Sequence, residues 1–95
     1  MLLPFKVAIL DYAMNHVGEN LTVDSIMEGM KDTPYAKESQ FHRARVQTYC
    51  DDFGQCGFFQ VVNTKITEHG DLDVTYQITD YAISRGNRFI PSRKK

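Results

Sequence analysis

Long hydrophobic runs are missing from this sequence. No stretch approaches the ~20 consecutive apolar residues of a membrane helix, so a membrane span is excluded. Cysteine is scarce: only Cys50 and Cys56 occur. Their C-x5-C spacing matches neither a redox pair nor a zinc knuckle. Reduced thiols in a cytosolic protein are the simplest reading. An excess of charge of either sign is also absent. Eleven Lys and Arg against twelve Asp and Glu leave a formal net charge of −1. Such a chain has no whole-molecule field to draw in DNA, RNA or an anionic membrane.

Catalytic signatures are missing too. There is no glycine-rich phosphate loop and no strand-turn-helix nucleophile motif. His16, His42 and His69 fall on three separate segments, and the carboxylates are scattered. Cys50 belongs to an apolar stripe, so pairing it with His42 fails on position. Cys56, His69 and an acid make a poor basis for a metal site. No enzyme activity, cofactor or metal is expected. Met1-Leu2-Leu3-Pro4 lacks a basic n-region and a small-residue cleavage site, so a cytoplasmic protein is expected rather than a secreted one.

What is present is an ordinary globular composition, 42% hydrophobic and 24% charged. Ninety-five residues make one domain. It is placed at residues 1–90, with a basic, disordered tail at 91–95. Charge is uneven along the chain. Residues 1–38 carry three basic and six acidic side chains, giving −3, and residues 39–95 carry eight and six, giving +2. Any anionic partner should meet the second half.

Residues 4–17 read as a helix, with Pro4 at its first position and Gly18 at its stop. Phe5, Ile9, Tyr12 and Ala13 form one apolar stripe. Val7, Leu10, Met14 and Val17 form a second beside it, and Asp11 and Asn15 mark the open side. A helix this apolar buries more than one face. It is either the central helix of the domain or a homodimer interface, and the width of its arc leads us to expect a dimer.

Leu21 suits a short strand and Thr22 an N-cap, followed by a second helix with Val23, Ile26, Met27 and Met30 on its apolar side. Lys31-Asp32-Thr33-Pro34 breaks it. A third helix should start near Ser39, capped by Ser39 or by Thr33-Pro34, with Val46, Tyr49, Cys50 and Phe53 inward. Gln40, Arg43 and Gln47 are expected opposite, and Gly54 or Gly57 ends the helix. Residues 58–66 and 72–79 read as strands. The second alternates Leu72, Val74, Tyr76 and Ile78 with Asp73, Thr75, Gln77 and Thr79. Glu68-His69-Gly70-Asp71 is the hairpin signal between them. Residues 80–90 suit a short last helix. No internal repeat or low-complexity linker interrupts the chain.

In this order the chain resembles a winged helix-turn-helix domain over residues 4–83. "LTVDSIMEGM" looks like the strand and second helix. "VQTYCDDFGQCGFFQV" looks like the exit of a recognition helix. "TKITEHGDLDVTYQITDYA" looks like the wing, and "YQIT" is similar to the Y-x-L-T segment that follows many wings. Ala82 departs from the glycine often found there. The resemblance implies an α+β fold, a three-helix core with a C-terminal β-hairpin wing. It implies a small DNA-binding transcriptional regulator that inserts its third helix into the major groove of double-stranded DNA.

The candidate nucleic-acid-binding residues follow from that resemblance. Ser39, Gln40, His42, Arg43, Arg45 and Gln47 belong to the third helix, Lys65 to the wing, and Arg85 and Arg88 to the last helix. Arginine can bond guanine in bidentate fashion and glutamine can pair with adenine. Alternatively, Arg43 and Gln47 merely solvate a core helix. Phe41 and Tyr35 either turn inward or meet a partner. The wing, with Glu68, Asp71 and Asp73, argues for the alternative function of a protein–protein interaction module that binds no DNA. The discriminating question is whether Arg43, Arg45, Arg85 and Arg88 converge on one surface.

Overall fold

A computed structural model describes residues 2–93 of the chain. Four helices, α1 (Phe5–Met14), α2 (Val23–Met30), α3 (Arg43–Gln55) and α4 (Asp80–Phe89), accompany two strands, β1 (Phe59–Ile66) and β2 (Leu72–Ile78). Short 3-10 turns occupy Pro34–Lys37 and Pro91–Arg93. The fold is mixed α+β, and its element order is compatible with the winged-helix expectation.

The first helix is shorter than its hydrophobic pattern suggested. Pro4 is its N-cap, and the helix stops at Met14. Asn15 and His16 donate their amides three residues back, to Tyr12 and Ala13. This tightens the chain into a turn and leaves Val17 exposed. The remaining apolar residues are consumed within one chain. Phe5, Ala8, Ile9, Leu10, Ala13 and Met14 are all buried, between α2 on one side and α4 on the other. The wide arc therefore no longer calls for a dimer through this helix. Gly86 is what lets α4 approach so closely: a Cβ there would collide with the Met14 sulfur.

Thr22 caps α2 as its sequence predicts. Its hydroxyl accepts from the Ser25 amide at 3.0 Å, and the Ser25 hydroxyl accepts from the Thr22 amide at 2.8 Å. This is a reciprocal capping box. The third helix begins at Arg43, not Ser39, with His42 as its cap. The cause is Phe41, which turns inward with its ring 5.9 Å from that of Phe5 and holds the preceding residues out of helical geometry. Tyr35 also turns inward, stacking on Phe5 at 5.7 Å and donating to the Leu3 carbonyl at 2.7 Å. The helix ends at Gln55. Gly57 takes φ +87°, and Phe58 donates back to the Phe53 carbonyl at 2.9 Å. That is a Schellman exit.

β1 and β2 pair antiparallel, with one irregularity between Val61 and Asn63. The turn closes where Thr67 donates to the Asp71 carbonyl and Gly70 to that of Thr67. Leu21 adds a single bridge on the far side of β2, exchanging both backbone bonds with Tyr76. Tyr76 is thus fixed between Leu21 and β1, under the middle of α3.

The segment from 91 onward, expected to be disordered, is ordered as far as it is described. Residues 94 and 95 lie outside the described residues. Ile90 is 1% exposed. Arg93 reaches back to α1, its Nε 2.6 Å from Asp11 Oδ1 and its Nη2 2.7 Å from Asn15 Oδ1. The supposed open side of α1 is occupied by this clamp. Charge-assisted bonds of a partly exposed group are worth about 1–2 kcal/mol. Arg93→Ala should lower stability by that amount, read as a lower urea midpoint at unchanged slope.

Candidate nucleic-acid interface

Three apolar residues, Val46, Cys50 and Phe53, seat α3 on the core. Two ion pairs fix its flanks. Lys6 of α1 lies 3.1 Å from Asp52, and Arg43 pairs with Asp24 of α2. All four side chains are well exposed, so these pairs position more than they stabilise. The helix is polarised. Its N-terminal end carries Arg43 and Arg45, and its C-terminal half carries Asp51 and Asp52.

The predicted contact residues separate into groups. Arg43, Ala44, Arg45 and Thr48 are exposed on the first two turns of α3. Arg45 also leans over the Tyr49 ring, 6.0 Å from its centroid. His42 is exposed but employed: its Nδ1 accepts the Arg45 amide at 3.3 Å, which requires that nitrogen to be unprotonated. Ser39 and Gln40 precede the helix. Gln40 accepts from the Tyr49 hydroxyl at 2.8 Å and donates to Glu38 at 2.8 Å, so it is a brace for the turn.

Gln47 does not face away from the core as its spacing suggested. It is half-buried and turned toward β2. Its Nε2 donates to the Tyr76 hydroxyl and to Asp51 Oδ1, both at 2.9 Å, and Tyr76 donates to the same carboxylate at 3.2 Å. Burial pushes the Tyr76 phenol up from 10.0 to about 12; the Gln47 bond opposes this and the Asp51 charge adds to it. Burial likewise pushes the Cys50 thiol up from 9.0 to about 12, aided by Asp51. Both groups stay protonated in the fold after the unfolded chain has begun to release them. Their stability contribution is complete below the ordinary values and is lost as pH rises toward 12. The urea midpoint should therefore fall between pH 9 and 12. Tyr76→Phe should flatten the upper part of that fall.

Between α3 and the hairpin lies an open groove of about 530 Å³, lined by Asp51, Gly54, Val61, Thr64, Leu72 and Val74 among others. A smaller hollow of about 320 Å³ adjoins it at Leu72, bounded by Arg43, Gln47 and Asp71. The walls mix Val61, Leu72 and Val74 with polar side chains, and the rim carries Asp51 and Asp71 with Arg43 beside the latter. Lys65 stands on β1, 4.0 Å from Asp73.

Arg85 and Arg88 are not brought to α3. They stand on α4, which packs on α1. The Arg85 guanidinium lies 5.6 Å from the Tyr81 ring centroid and 5.4 Å from that of Phe89. Arg43 and Arg45 share the first turns of α3, while Arg85 and Arg88 form a separate pair on α4. Two features went unread in the sequence. The Tyr81, Arg85, Phe89 spacing of four places all three on one helical face, and both aromatic rings are more than half exposed. Leu72 alternates like a core residue yet is 61% exposed, because the hairpin projects beyond α3.

Among the described residues no three His, Cys, Asp or Glu side chains gather as a metal site, and no helix is long and apolar enough to cross a membrane. No protein-family model matches the sequence, and no match was found among curated proteins.

Proposed function

We propose that the chain is a winged-helix protein that binds double-stranded DNA through the N-terminal half of α3 and regulates transcription by occupying its site. The observation that carries this reading is the clear first two turns of α3, where Arg43, Ala44, Arg45 and Thr48 all face solvent. A helix N-terminus presented in this way suits insertion into a major groove. Asp24 is itself exposed, so Arg43 can exchange it for a base or a phosphate at little cost. No enzyme activity belongs to this proposal.

The footprint is narrow. With His42 engaged as a cap and the hairpin acidic, Arg43 carries the base contact and Arg45 the phosphate contact. Each neutralised phosphate contributes about −0.9 to the slope of log K against log salt, so the slope should be about −1. Arg43→Ala should cost about 1–3 kcal/mol of sequence discrimination, and Arg88→Ala should leave binding unchanged. Selection from a random duplex pool at low and physiological salt tests the proposal. Retention of no duplex even at low salt removes it.

The open groove, with Val61, Leu72 and Val74 on its walls and Asp51 and Asp71 at its rim, favours a second reading, a winged-helix module that recognises a protein. That reading takes over if the duplex selection fails.

A further inference from the structure

Two exposed apolar surfaces remain, and they carry opposite charge. On α4, Tyr81 and Phe89 are 51% and 65% exposed and bracket Arg85, with Arg88 beside them. The nearest acid on that helix, Asp80, lies about a quarter turn off this face. On the hairpin, Ile66 and Leu72 are cross-strand partners, 74% and 61% exposed. Val61 lines the groove beside them; Asp51 stands at its rim, and Asp71 stands with Arg43 in the hollow that adjoins it.

We propose that α4 of one copy of this chain docks its aromatic, arginine-bearing face into the acidic groove between α3 and the hairpin of the next. Charge selects this pairing. Two α4 faces set together would place Arg85 and Arg88 against their own copies. Two hairpin faces would oppose Asp51 and Asp71 in the same way. The unlike contact sets Arg85 and Arg88 against Asp51 and Asp71, with Arg43 alone to offset them, and covers both apolar patches. Such a contact is heterologous: each copy keeps one free surface of each kind, so association continues head to tail unless a ring closes. The surfaces are small, which places the contact among weak interfaces. The contact uses no DNA and does not depend on the function proposed above.

Sedimentation velocity without DNA, over a range up to millimolar protein, tests it. The weight-average mass of the wild type should climb with concentration from 10.9 kDa through the dimer and beyond. Leu72→Asp and Phe89→Asp each alter an exposed side chain, and circular dichroism should confirm that both remain folded. Each variant alone should weaken association by about tenfold or more, the effect of losing an interface anchor. An equimolar mixture of the two should associate again but stop at two chains, because one variant supplies an intact α4 and the other an intact groove. A monomeric wild type across the range overturns the proposal. So does a mixture that stays monomeric, or an assembly disrupted by only one of the two substitutions.

Discussion

Phe53→Ala should lower the unfolding free energy by about 3–5 kcal/mol, the range for truncating a buried phenylalanine. Phe53 is 4% exposed. Its ring lies 5.1 Å from Phe59 and 5.8 Å from Phe58, and the Lys6 ammonium sits 5.6 Å from its centroid. Removing it opens a cavity where α3 meets both α1 and the start of the hairpin. Rigid neighbours such as Phe59, 2% exposed, cannot close such a gap. Against a total stability of about 5–15 kcal/mol, the variant should be partly unfolded at body temperature. Urea titration followed by far-ultraviolet circular dichroism measures this. An unchanged midpoint would contradict the packing described for α3.

The second large effect belongs to Ile90. Ile90→Ala should cost about 2–5 kcal/mol, as for a well-packed isoleucine. The side chain is 1% exposed and follows directly after α4. The same titration reads the loss. It separates this position from Phe89 immediately before it, where an exposed ring makes alanine nearly neutral. A loss of stability at 89 and none at 90 would mean that the phase of α4 is wrong.

Local signals were legible in the sequence; distant partners were not. Thr22 could be read as a cap because its partner, Ser25, lies three residues away. Val46, Cys50 and Phe53 could be read as core because one helical period links them. The start of α3 is not legible in the sequence, because Phe41 just before it meets Phe5, a partner on another helix. The helical spacing puts Gln47 opposite the core, and the resemblance then puts it on a DNA surface. Its orientation is set by Tyr76, twenty-nine residues downstream. Arg93 reads as part of a loose tail because nothing near it in sequence points to Asp11, its partner on α1. Of the candidate site, Arg43 and Arg45 stand together on α3, and Arg85 stands apart from them on α4, which packs on α1.

The clamp from Arg93 to Asp11 spans 82 residues, and this bears on how the chain is made. α1 emerges from the ribosome early, with Met14 uncovered. Its cover arrives only with Gly86 of α4 and Ile90, after nearly the whole described segment has been translated. Until then the first helix is an apolar stretch waiting for its lid, open to chaperones and to other nascent chains. Synthesis of these residues therefore ends, rather than begins, with the step that shields the centre of the fold. Pausing between the hairpin and α4 would prolong the exposure, and rapid translation through residues 80–93 would shorten it.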